Sequence, residues 1–128
     1  MLAKLSHLIN VKGSEIREKI KSFKRSSRWD EVRDDFIRKN PKCFCCGSSK
    51  KLQVHHITPF SNNPELELVE SNLISLCMDK NECHLNIGHG GSFKFYNPNV
   101  IEDSIAYRQA TTPQRKLITE NAKKQRLD

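Results

Sequence analysis

The chain has 128 residues, 36% of them hydrophobic and one of them Trp, which is room for one compact domain with a modest core. The 22 Lys and Arg outnumber 15 Asp and Glu, giving a formal charge of +7, a balance that favours polyanionic partners through counterion release. No apolar run reaches the length of a membrane span, and the first ten residues are too short and interrupted for a signal-peptide core, so a soluble, cytoplasmic protein is expected. Thiols stay reduced in that compartment, so the 5 Cys read as metal ligands rather than disulfides, with one left over under any pairing.

Residues 1–27 form a basic arm. Leu2, Leu5, Leu8, Ile9, Ile16, Ile20 and Phe23 recur at helical spacing, and Gly13-Ser14 divides them into two short helices. The basic face of the second helix reads equally as a solvated surface or as a DNA-contacting arm. Residues 28–39 make the clearest helix, with Ser27 as cap, Trp29, Val32, Phe36 and Ile37 as the apolar stripe, and Asn40-Pro41 as the stop. Cys43 to Gly47 is a tight knuckle. Leu52–Ile57 alternates as a strand does, Thr58–Pro64 is a loop, and Asn72–Cys77 is a second strand. A short helix begins near Cys83-His84 and stops at the Gly88, Gly90, Gly91 cluster. Phe93–Pro98 reads as a loop packed on the core, and residues 100–108 as helical. Residues 109–128 read as a polar C-terminal helix capped at Thr112-Pro113, with a frayed tail from Lys123.

Cys43-x2-Cys46 is a spacing that a tight turn presents to one tetrahedral ion. Cys77 and Cys83 form a second, wider pair, and the four together are the expected ligands of a structural zinc. The competing reading makes Cys77 a buried strand residue and Cys83 a helix-start thiol. Cys45 is the spare. His55, His56, His84 and His89 fall in the same stretch, and a hairpin packed on a short helix brings strand and helix histidines around one cation. Adjacent histidines on a regular strand point to opposite faces, so a buried, purely structural member is the bland alternative. A cation on a phosphate beside a neutral imidazole base has the parts needed for phosphodiester hydrolysis.

In order, Cys43-x2-Cys46-Gly47, Val54-His55-His56-Ile57, Asn72-Leu73-Ile74 and Leu76-Cys77…Cys83-His84 resemble the HNH, or ββα-metal, nuclease family. Gly88-His89 and Tyr96-Asn97-Pro98 resemble one branch of it. The resemblance spans about residues 28–108 and implies an α+β fold: a ββα-metal (His-Me finger) core, a zinc knuckle and flanking helices. It implies that His55 and His84 hold a catalytic divalent metal, that His56 is the general base, and that Asn72 holds the His56 loop by hydrogen bonds. It also implies that the His-His pair sits at a strand end where strict alternation need not hold. His89 is left as an extra ligand, a phosphate contact or a structural residue. His in place of the family's frequent Asp favours Mn, Ni, Co or Zn, with Mg2+ still compatible.

The expectation is therefore an HNH endonuclease acting on DNA, by nicking or double-strand cleavage, in a phage or restriction-like setting. Arg25, Arg28, Arg33, Lys50 and Lys51 are the expected phosphate contacts, or else ordinary surface charges. Two alternatives stand beside it: a non-catalytic zinc module that binds nucleic acid, and an RNA or toxin nuclease with the same motif.

Overall fold

A computed structural model of the chain describes residues 24–126; the arm expected over residues 1–23 and the last two residues lie outside the described part. The architecture is α+β. The elements are α1 (Trp29–Lys39), β1 (Leu52–His56), β2 (Leu73–Cys77), a π-helical turn at His84–Gly88, α2 (Val100–Gln109) and α3 (Thr112–Gln125). β1 and β2 pair antiparallel, with Val54 opposite Ser75, His55 opposite Ile74 and His56 opposite Leu73. No helix among the described residues is long and apolar enough to cross a membrane.

The hairpin separates two cores. On one face Phe36 packs with Val54 and Leu73, joined by Trp29, Val32 and Ile37, so the stripe of α1 is indeed its buried side. On the other, Ile74, Leu76, Ile87, Val100 and Tyr107 pack with the buried cysteines. Period-two alternation along each strand distributes the side chains between these faces.

α1 starts differently from the sequence reading. Arg28 stands at its cap position without a side-chain bond, and Ser26 rather than Ser27 closes the turn. The Ser26 hydroxyl accepts from the Arg28 N–H at 3.1 Å and its carbonyl from the Trp29 N–H at 3.1 Å. Ser26 is placed by a tertiary bond, its own N–H donating to buried Glu67 Oε1 at 2.9 Å. The far end behaves as expected: the Asn40 N–H donates to the Phe36 carbonyl at 2.8 Å, and Pro41 follows.

Three further boundaries shift. Asn72 belongs to a 3-10 turn (Glu70–Asn72), so β2 begins at Leu73. α3 is capped by Thr111, whose side chain accepts from the Gln114 N–H while the Gln114 amide reaches back, a full capping box one residue before the expected cap. The helix continues through Gln125, because Ala122 is fully buried and its carbonyl lies where a Gly90 Cβ would come within 3.0 Å, so the segment from Lys123 is not frayed.

Phe93–Pro98 is less packed than expected. Phe93 is exposed, and the anchor is the fully buried Asn97. Its N–H donates to the Gly88 carbonyl at 3.0 Å, and its Nδ2 donates to Ile87 O at 3.0 Å and Asp103 Oδ2 at 2.7 Å. These bonds satisfy the end of the π-helical turn and tie it to α2.

Leu76 is fully buried on β2, between the hairpin and the π-helical turn. Leu76→Ala is expected to lower unfolding stability by about 2–5 kcal/mol. Denaturant titration of the zinc-loaded protein checks this, and a change of only a few tenths would contradict a close-packed site.

Candidate metal centres and active site

Cys43, Cys46, Cys77 and Cys83 converge, their sulfurs all within 4.8 Å of one another. The knuckle turns on Gly47 at φ +83, a left-handed position, with Gly47 N–H donating to Cys43 O at 2.9 Å and Cys43 N–H to Ser48 O at 2.7 Å. Two backbone donors, Cys46 N–H and Cys77 N–H, point at Cys43 Sγ from 3.4 Å each. The wide Cys77–Cys83 gap closes because Glu82 takes a left-handed φ of 44 and its N–H donates to Asp79 O at 2.9 Å. Cys46 Sγ and Cys77 Sγ are 3.6 Å apart. Tetrahedral zinc with bonds of about 2.3 Å sets its sulfurs roughly 3.8 Å apart, so the donor set fits that ion. Without a cation the thiols resist ionisation. The hydrogen bond that Cys43 donates to Cys83, then burial, lifts Cys43 to about 12. Cys83 is raised by Cys45 and by burial, which outweigh the lowering bond to Cys43. Cys45, beside the cluster, is fully buried in the core.

The second centre is built from His55, His84 and His89, whose ring nitrogens also lie within 4.8 Å of one another. His84 and His89 are five apart. On an α-helix that separation leaves them about 140° apart around the axis. Here the His89 N–H donates to the His84 carbonyl at 3.0 Å, the i→i+5 bond of a π-helix, and both imidazoles share one side. His84 Nδ1–H donates to Gln53 Oε1 at 2.7 Å, and His89 Nδ1–H donates to Phe95 O at 2.7 Å. Both Nε2 atoms therefore carry lone pairs, yet they face each other at 3.2 Å. Two neutral acceptors repel at that distance, whereas ligands of one ion with bonds of about 2.1 Å lie roughly 3.0–3.4 Å apart. His55 Nε2 is buried with no hydrogen-bond partner among the described residues. A shared cation resolves the repulsion and the orphan together. Gly88 makes the approach possible: a Cβ there would sit 3.1 Å from His55 Cε1 and 3.0 Å from Leu76 Cδ1.

His56 lies on the other face of β1. The pair does sit at the strand end, since β1 closes at His56, but both histidines are inside the paired register and alternation holds, because their partners Ile74 and Leu73 remain laddered. The His56 ring stacks on Trp29 at 4.5 Å, tilted 34°. Its Nε2–H donates to Glu67 O at 2.9 Å, which leaves Nδ1 as the free acceptor. Burial lowers its pKa, the Glu67 carbonyl opposes that, and Arg25 adds to it. Asn72 pins the following loop: its Oδ1 accepts from Thr58 N–H at 2.8 Å, and its Nδ2 donates to Thr58 O at 3.0 Å and Leu66 O at 3.2 Å.

Among the basic candidates, Arg25 pairs with Glu67 at 2.5 Å and lies over the Trp29 and Phe60 rings at 5.0 and 5.1 Å. Arg33 pairs with Asp30 and Asp34. Arg28, Lys50 and Lys51 are exposed. A cavity of about 450 Å³, with no histidine in its lining, is bordered by Lys80, Arg115, Lys116 and Lys123. Gln53 and Glu67 were absent from the sequence reading. Gln53 had one visible signal, its place two residues before His55 on the same strand face; Glu67 had none.

Residues 43–90 match the family model described as HNH endonuclease. This segment is similar to HNH endonuclease domains. The matched segment contains every sulfur and imidazole of the two centres. Comparison with curated proteins and with solved structures gives no significant match.

Gln53 fixes the tautomer of His84, so Gln53→Leu should weaken divalent metal binding at the histidine centre about 10–100-fold while leaving the four cysteines able to hold zinc. Calorimetric titration with Mn2+ or Ni2+ checks it, and unchanged affinity would contradict this orientation. The imidazoles also set a pH window. Burial, then the neighbouring histidine charges, lowers His55 from 6.5 to about 2 and His84 from 6.5 to about 4; burial lowers His89 as well. The folded state binds fewer protons than the unfolded one, so stability is complete above about pH 6.5 and declines as pH falls toward those folded values. With the histidine centre metal-free, the thermal midpoint should fall between pH 6.5 and 4; a flat midpoint there would contradict the buried neutral cluster.

Proposed function

We propose that the protein is a metal-dependent endonuclease that hydrolyses phosphodiester bonds in DNA. The observation that carries the reading is the pairing of a three-imidazole centre, one nitrogen of it orphaned, with a neighbouring histidine whose free nitrogen is defined by a backbone bond. His55, His84 and His89 would hold a divalent ion such as Mn2+, Ni2+, Co2+, Zn2+ or Mg2+, which supplies charge stabilisation at the scissile phosphate. The four cysteines would hold a structural zinc that clamps the knuckle to the hairpin.

His56 is the general base. With Nε2–H committed to Glu67 O, its Nδ1 lone pair takes a proton from the attacking water. The lowered pKa keeps that lone pair available at neutral pH and slightly below. Trp29 stacking fixes the ring plane, and the Arg25–Glu67 pair braces the carbonyl-bearing segment. Asn72 holds the loop that leaves the strand, so the ring cannot swing. Arg28, Lys50 and Lys51 offer phosphate contacts that position without reading sequence; Arg25 and Arg33 would do so only by loosening their acidic partners. A zinc module without chemistry has no use for the His56 arrangement, which places the enzyme reading ahead.

His56→Ala should lower the rate of supercoiled-plasmid cleavage by about 10²–10⁴-fold, with metal content and thermal midpoint retained. Cleavage at the parent rate would overturn the assignment of the base. RNA in a parallel lane decides the substrate: faster RNA than DNA cleavage would overturn the DNA reading.

A further inference from the structure

Beside His89 opens a cavity of about 320 Å³, bordered by Asn62, Phe93, Lys94, Phe95 and Tyr96. Phe93 is 57% exposed, and among the described residues few other large apolar side chains are. The Phe93 ring stands 5.0 Å from His89 and 5.6 Å from His84, so it adjoins the histidine centre while open to solvent. Phe95 and Tyr96 also line the cavity, their rings side by side at 6.3 Å, and exposed Asn62 donates its amide to Tyr96 Oη at 3.3 Å. The exposed Lys94 ammonium is the one formal charge on the rim.

We propose that this cavity is a nucleobase subsite, which receives an unpaired DNA base from the nucleotide adjoining the scissile phosphate. The inference rests on the nuclease reading of the histidine centre and deepens it by naming the substrate class. A phosphate at the three imidazoles puts its own nucleotide against Phe93. An aromatic face engages a base only when that base has left the duplex stack. The cavity volume is at the low end for a small-molecule site and suits one base rather than the groove of a helix. Stacking is sequence-tolerant because every base has a π-face, while the Asn62 carbonyl and Tyr96 hydroxyl can meet base edges and Lys94 a flanking phosphate. Single strands, flaps and unpaired junctions are then better substrates than a fully paired duplex.

The test uses short single-stranded DNA carrying 2-aminopurine, titrated in the presence of Mn2+ with the His56→Ala protein, which keeps the strand intact. Fluorescence quenching on binding is expected. Adding Phe93→Ala should abolish the quench and weaken binding by roughly 10-fold, Phe93→Trp should restore both, and affinity for a matched duplex should not change. Phe93 is exposed, so these changes leave the fold unaltered. Absence of quenching, a Phe93→Ala protein that binds like its parent, or an equal loss on duplex would each overturn the subsite. A protein that quenches through Phe93 yet cleaves nothing would overturn the nuclease reading and leave the subsite standing. Plasmid cleavage without Phe93-dependent quenching would do the reverse.

Discussion

The pleat of β1 turns His55 and His56 to opposite sides of a two-stranded hairpin, and each imidazole then needs a wall of its own. On the His55 side that wall is the π-helical turn with its two further imidazoles; on the His56 side it is Trp29 of α1 and the Glu67 carbonyl. Neither wall has meaning without the register, since a slip of one residue would exchange the two histidines. The ladder to Ile74 and Leu73 holds that register, and Leu76 and Val54 hold it from the two cores. Ligand and base can therefore be sequence neighbours without competing for one cation.

The hairpin also keeps the two centres apart. The four sulfurs gather at the end where Cys77 pairs with Leu52, and the imidazole base sits at the other, where His56 pairs with Leu73. A small domain with a modest core gains rigidity from a metal clamp where the chain would otherwise be loosest. The zinc-type cluster is closed and sulfur-only, whereas the histidine cluster borders a cavity, the difference expected between a structural and an exchangeable ion.

Much of this was legible in the chain. Alternation and apolar spacing predict α1 and both strands to within a residue or so, and cysteine spacing predicts the sulfur cluster, because these depend on local periodicity. The misses were long-range. Ser26 displaces Ser27 at the head of α1 because Glu67, forty-one positions away, holds its backbone. Gln53 and Glu67 act through bonds of their own to distant histidine rings, and Phe93 stands out where a packed loop was expected. His89 could not be ranked, since its position relative to His84 depends on the helix type, which no local propensity announces.

That helix type constrains how the segment can change. Between His84 and His89 only certain separations serve. Five residues keep the imidazoles on one side through the i→i+5 turn, and loss of one residue would give an ordinary α-turn whose i→i+4 spacing, about 40° around the axis, also keeps them together. A gain of one residue in an α-helical turn would part them by about 120°. Leu85 and Asn86, only partly buried, leave room for substitution. Among diverging sequences, a one-residue deletion here would be tolerated where a one-residue insertion would not.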